Sequence, residues 1–235
     1  YDAKMGELDL EIAMRCKVGD LSTYNELNRI ETFREPVEQL VKKYEGTEGG
    51  IIFYGGSNFV KWTTMEQDLS EFPIYNKSFG GSSDATRSYY APRLLYGSNP
   101  DMIVFMSSTN DWTDGNGLEE VIEIKQKFYE DTAKNLPDTA IVIMSATPNP
   151  LRYFGEYHDG MVACDEWLKA YCEEHENFYF LDCKDALSAN DGTEAVAEYW
   201  IEDQLHLTPE GYEKLAQLMR TELGRICQER NLTWE

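Results

Sequence analysis

The 235-residue chain sets 21 Lys and Arg against 43 Asp and Glu, a formal charge of −22, and is 42% hydrophobic. With no basic cluster to offset that charge locally, nucleic acid and anionic membrane surfaces are poor partners. No apolar run approaches the roughly eighteen residues of a membrane helix and no charged-then-apolar leader is present, so membrane insertion is not expected; the length suits one sizeable α/β domain.

In chain order, residues 1–45 read as a helical arm packing on the domain that follows. Leu8, Ile12 and Cys16 share one helical face, and a second helix is expected to start near Pro36, with Val37, Leu40, Val41 and Tyr44 as its apolar side. A partner-binding role for this arm is the alternative. Gly46 and Gly49-Gly50 end the helix. Residues 46–235 then alternate between two patterns. Extended apolar runs fall at Ile51–Tyr54, Ile74–Phe79, Met102–Met106, Ala140–Met144 and Phe178–Leu181. Helix-periodic segments separate them: Leu118, Val121, Ile122, Lys125, Phe128 and Tyr129 form one stripe, with the lysine expected to snorkel at its edge. Met161, Cys164, Leu168 and Tyr171 form another. The last helix opens with Thr208 as N-cap and Pro209 at the first position. This alternation predicts a three-layer α/β/α sandwich around a mainly parallel five-stranded sheet.

Five cysteines, Cys16, Cys164, Cys172, Cys183 and Cys227, form no C-x-x-C pair and sit among apolar neighbours. They read as small buried hydrophobes rather than a disulfide framework or zinc ribbon. A reducing compartment fits this usage, so the expectation is cytoplasmic; secretion after removal of a leader is the alternative for a sequence that begins at Tyr1.

Ligands of such sheets bind beyond the carboxyl ends of the strands, so the polar residues there carry the chemistry. Gly55-Gly56-Ser57 follows the first strand; two glycines permit a sharp turn and leave one side of the serine hydroxyl open. Gly80-Gly81 follows the second, Ser107 to Asp111 the third, and Asp203-Gln204-Leu205-His206 precedes the final helix. Together these meet the needs of acyl transfer. Ser57 is the candidate nucleophile, His206 its base, and Asp203 the group that fixes the imidazole tautomer. The backbone N–H groups of Ser57 and Gly81 and the amide of Asn110 are the candidate oxyanion donors.

The ordered words GGSN at 55–58, SFGGS at 78–82, STND at 108–111 and DQLH at 203–206 resemble the SGNH/GDSL hydrolases, a group of esterases and acylhydrolases. The resemblance spans residues 51–225. It implies a flavodoxin-like sheet with Ser57 as nucleophile, Gly81 and Asn110 as oxyanion donors, and Asp203 and His206 completing a triad, with no cofactor and no metal. Two departures stand out: Gly56 replaces the family's common Asp before the serine, and Ser108 stands where a glycine usually precedes the oxyanion Asn. If that position requires positive φ, the serine costs about 1 kcal/mol.

The expected activity is a serine esterase acting on short acyl esters, such as acetyl groups on a carbohydrate or small metabolite. A lysophospholipase or thioesterase with the same triad is the alternative among enzymes. A silent module holding FMN or a phosphate on the Gly55–Ser57 loop is the alternative from another class. Metal ligation by Asp182, Cys183, Asp203 and His206 has no support in their spacing, and His158 and His175 read as exposed. Phe59, Trp62, Trp200 and Ile201 are candidate pocket walls as well as candidate core, and the rigid Thr147-Pro148-Asn149-Pro150 loop is placed to border the site. The oligomeric state is not readable from the sequence.

Overall fold

Each of the five apolar runs becomes a strand. The computed structural model describes residues 21–190 and 192–234, so the expected Leu8–Ile12–Cys16 face lies outside the described residues. The chain enters on α1 (Leu21–Lys43), forms β1 (Ile51–Tyr54) and turns into the short α2 (Ser57–Lys61). There follow β2 (Ile74–Asn76), α3 (Asp84–Leu94), β3 (Met102–Met106), α4 (Leu118–Asn135), β4 (Ala140–Met144), α5 (His158–Glu174), β5 (Phe178–Leu181) and α6 (Pro209–Arg230). The strands pair in the order β2-β1-β3-β4-β5, all parallel. A two-residue hairpin, Ser188–Ala189 against Glu194–Ala195, stands apart from this sheet.

The two-residue period of each strand divides the core. Ile52, Tyr54, Ile103, Phe105, Ile141 and Ile143 face one cluster, shared with buried side chains of α1, α3, α4 and α5. Ile51, Phe53, Met102, Val104, Val142 and Met144 face the other, shared with Phe59, Trp62 and the apolar stripe of α6. Burial on both faces explains why these strands are apolar throughout rather than alternating. The sheet runs to β2 on one side of β1 and to β3 on the other, which opens a crevice at their carboxyl ends.

Three local expectations are corrected. The second helix does not start near Pro36: α1 runs through it from Leu21. A proline lacks one backbone donor, but Ile30, Phe33 and Val37 lie buried on both sides of it, and that packing outweighs the lost bond. β2 ends at Asn76 rather than Phe79: the Lys77 and Phe79 N–H groups still bond to the Phe53 and Gly55 carbonyls, but the Ser78 side chain stands in for the reciprocal bond. Gly55 N–H donates to Ser78 Oγ at 2.9 Å, and Ser78 Oγ donates to the Phe53 carbonyl at 3.2 Å. Lys125 does not snorkel; its side chain is fully buried and ion-paired with Asp84, while Nζ also donates to Ser107 Oγ at 2.9 Å. The partner that keeps it inside comes from α3, 41 residues earlier, where no local pattern could reveal it.

Cys164, Cys172, Cys183 and Cys227 are buried free thiols, as their apolar settings implied. His158 and His175 are exposed, also as read. No helix of the described residues is long and apolar enough to cross a membrane.

Removing one member of a buried ion pair leaves its partner's charge inside without compensation, which costs roughly 3–5 kcal/mol. Lys125→Met is therefore expected to lose stability of that order in chemical denaturation. A loss under about 1 kcal/mol would show that Arg87 alone satisfies Asp84.

Candidate active site

β1 ends in Tyr54 and the chain reverses through Gly55 and Gly56. A Cβ on Gly55 would stand 2.7 Å from the Phe59 ring and 2.8 Å from Met106 Cβ, so only glycine lets α2 fold back this tightly. Gly56 caps α2, leaving Ser57 as its first residue, half-exposed at the crevice.

The candidate base comes from the far end of the chain. Residues 201–206 form a turn in which the Gln204 N–H bonds to the Ile201 carbonyl and Ile201 N–H to the His206 carbonyl, both at 2.9 Å, with Gln204 in the left-handed region at φ 58°. Asp203 stabilises this turn: its Oδ1 accepts the backbone N–H groups of Leu205 and His206, each at 2.9 Å. Its Oδ2 lies 2.6 Å from His206 Nδ1, and His206 Nε2 lies 2.7 Å from Ser57 Oγ. Partial burial pushes the Asp203 carboxyl up, but the His206 ring and the two backbone donors outweigh it and hold it at about 2. Asp203 is thus ionised wherever the imidazole needs an acceptor. With Nδ1–H donated to Asp203, the Nε2 lone pair faces the serine.

The structure therefore joins Ser57, His206 and Asp203 in one hydrogen-bonded chain across 149 residues of sequence. Asn110 lines the same cleft as Ser57. Its Nδ2 donates to the Ser82 carbonyl at 2.8 Å, which leaves its second amide hydrogen available. Gly81 takes φ +79° in the turn after β2, and Gly80 beside it is so close to Ser57 that a Cβ there would stand 3.8 Å from the serine Cβ. Among the described residues, neither the Ser57 nor the Gly81 backbone N–H has a protein acceptor. Phe33 of α1 closes the back of this turn, 3.8 Å from where a Gly81 Cβ would stand.

Ser108 imposes no strain, because its φ is not positive. It braces the loop instead: Ser108 Oγ accepts the Asn110 N–H at 3.0 Å and donates to the Ser82 carbonyl at 3.4 Å. Phe59, Trp62 and Trp200 are core rather than pocket wall, and Ile201 is 40% exposed on the histidine turn. Thr147 of the proline-flanked loop does line the cleft. Asp182 and Cys183 are engaged with Ser145, and among the described residues no cluster of His, Cys, Asp and Glu is arranged to hold a metal ion.

The sequence matches the GDSL-like Lipase/Acylhydrolase family over residues 47–214. The chain belongs to that family. None of the curated protein sequences compared matches it. Among solved structures similar to it is a Streptococcus pneumonia protein provisionally described as a platelet activating factor, at TM-score 0.71 and 20% identity, covering 86% of this chain and 98% of the other. A GDSL-like lipase from Bacteroides thetaiotaomicron aligns at TM-score 0.65 and 13% identity, covering 86% and 97%. The family 3 carbohydrate esterase of Clostridium thermocellum aligns at 0.58 and 14%, covering 74% and 94%. At these identities the likeness shows that the chain has the SGNH hydrolase fold.

Within this GDSL-family site, sequence reasoning passed over Asn58 and the buried ions. Asn58 Nδ2 donates to the Leu205 carbonyl and its Oδ1 accepts the Leu207 N–H, each at 3.3 Å, so one side chain brackets His206. Tyr212 Oη donates to the Asn58 carbonyl at 2.8 Å and locks the residue in turn. Asp84 and Arg87 had one sequence signal: they are three apart, just inside a helix that Ser83 and Thr86 cap reciprocally.

A short Nδ1–H to carboxylate bond gives a downfield proton resonance, and Asn58 is expected to hold the geometry that produces it. In Asn58→Ala that His206 resonance should broaden or vanish while the circular dichroism spectrum is retained. A sharp, unshifted resonance would mean that the turn keeps its place without Asn58.

Proposed function

We propose that the chain is a serine carboxylic-ester hydrolase that removes short acyl groups, acetyl foremost, from a carbohydrate or small metabolite through an acyl-enzyme. The observation that carries this reading is the unbroken Ser57–His206–Asp203 hydrogen-bonded chain at the mouth of the crevice. As the Ser57 Oγ attacks the ester carbonyl, Nε2 takes its proton, and the imidazolium is stabilised by the Asp203 carboxylate. The carbonyl oxygen gathers negative charge, which the Ser57 and Gly81 N–H groups and the Asn110 amide receive. Collapse breaks the bond to the alcohol, which leaves with the proton from His206. Water then attacks the acyl carbon as the same nitrogen takes its proton, and collapse breaks the bond to Ser57 Oγ, which recovers the proton from His206 as the acid leaves.

The acyl size is inferred from the walls. Gly56, Ser82, Ser108 and Thr147 are small or polar, and Met106 and Leu205 are the apolar members, so among the described residues the cleft offers no apolar channel for a long chain. That favours acetyl-sized groups over the longer chains of a lysophospholipase. The carbohydrate esterase and lipase names among the structural neighbours are consistent with ester chemistry on this fold.

The test is hydrolysis of p-nitrophenyl esters from acetate to decanoate by the wild type and by Ser57→Ala. Acetate should be turned over best, with rates falling along the series, and Ser57→Ala should lose roughly 10⁴-fold or more. A folded wild type inert on every ester, or a mutant that keeps its activity, would contradict the assignment.

A further inference from the structure

Two cations line the cleft among the described residues, Arg87 and Arg152, and only Arg87 is paired with a carboxylate. Arg152 stands just after the Thr147-Pro148-Asn149-Pro150 loop, and that loop sets its position: Asn149 Oδ1 accepts the Arg152 backbone N–H at 2.8 Å. The Arg152 Nη1 donates to Thr109 Oγ1 at 2.8 Å and to Asn110 Oδ1 at 2.7 Å. Both partners line the cleft with Ser57, so the guanidinium head sits beside the candidate oxyanion site. Its remaining nitrogens, Nε and Nη2, have no protein acceptor among the described residues. They form the edge that grips a carboxylate or phosphate with two parallel hydrogen bonds.

Among the described residues the charge on Arg152 is also uncompensated. Arg87, Arg93 and Arg225 each hold a carboxylate, whereas none of the described carboxylates is ion-paired with Arg152. Burial disfavours its charged form, and Tyr157 and Asp114 favour it only through space. A half-buried guanidinium kept without a counterion is costly unless a ligand supplies one. The chain as a whole carries −22, a field that repels anions, so a local cation is what an anionic substrate would need at this point.

We propose that the Nε–Nη2 edge of Arg152 is an anion subsite, and that the substrate is an acyl ester whose alcohol part bears a carboxylate or phosphate group near the esterified oxygen. This rests on the esterase reading: a short acyl group has no room for the charge, which places the anion on the alcohol side.

The test compares matched neutral and charged esters: O-acetyl methyl glucoside against O-acetyl glucuronate for the carboxylate, and O-acetyl glycerol against O-acetyl glycerol phosphate for the phosphate. p-Nitrophenyl acetate serves as the uncharged reference. Wild type should favour the charged member of at least one pair by about tenfold or more in kcat/KM, and the pair that shows it identifies the anion. Arg152→Gln should bring that ratio close to one, and Arg152→Lys, which keeps the charge but not the fork, should retain part of it. No preference in wild type, or a ratio that Arg152→Gln leaves unchanged, would overturn the subsite. Equal losses on charged and neutral esters would also overturn it, assigning Arg152 to the orientation of Asn110 alone. If folded wild type does not turn over p-nitrophenyl acetate, it is the esterase reading that fails. Calorimetric titration of Ser57→Ala with the charged esters then decides the subsite separately: saturable binding that is lost in Ser57→Ala/Arg152→Gln supports it, and no binding of either ester overturns it.

Discussion

The carboxylate of Asp84, fully buried at the start of α3, makes demands that shape the floor of the crevice. Burial alone would push its proton affinity up, but Arg87 and Lys125 outweigh that and keep it below the ordinary carboxylate range. The two cations then have donors to spare. Arg87 Nη1 reaches the carbonyls of Tyr54 at 3.3 Å and Met106 at 2.6 Å, the last residues of β1 and β3, while Lys125 holds Ser107. Asp84 Oδ2 itself accepts the Ser108 N–H at 3.3 Å, and the Asp84 N–H donates to Asp111 at 3.0 Å. A buried ion cluster adds little net stability once its desolvation is counted. What this one supplies is position: it pins the strand ends from which Ser57 and Asn110 are launched.

The His206 side of the site has a different support. Asn58 and Tyr212 fasten the histidine turn to α2 and α6, so Ser57 and His206 share a frame. The loop after β4 ties this half to the other: the Leu151 N–H donates to the Gln204 carbonyl at 3.1 Å, next to Asp203, and the following residue, Arg152, reaches Asn110. Movement of that loop would therefore be felt by His206 and by Asn110 together. This coupling gives the Pro148 and Pro150 flanks a physical purpose, since each fixes one backbone angle and lowers the entropy that ordering the loop costs.

How much of this was legible in the sequence follows from the range of each interaction. Strands and helices declared themselves because their signals are local: continuous apolar runs for strands buried on both faces, and the 3.6-residue stripes of α4 and α5. The candidate triad was legible for a different reason, since it is carried by short words whose backbone needs are local: Gly55 for a tight reversal, and Asp203 three before His206 in a turn that Asp203 itself caps. Lys125 was misread because a lysine on an apolar stripe looks the same whether it reaches solvent or a buried acid. Pro36 was misread because a local rule about prolines yielded to packing on both sides of it. Arg152 and Asn58 were invisible because their partners lie 42 and 147 residues away.

The most direct test of the central claim is covalent: treat the folded protein with a fluorophosphonate, which reacts with an activated serine, and locate the adduct by peptide mass spectrometry. The account predicts a single adduct on Ser57, with the labelling rate of His206→Ala lower by roughly 10²-fold or more. An unlabelled protein, an adduct on another serine, or a rate indifferent to His206 would contradict it.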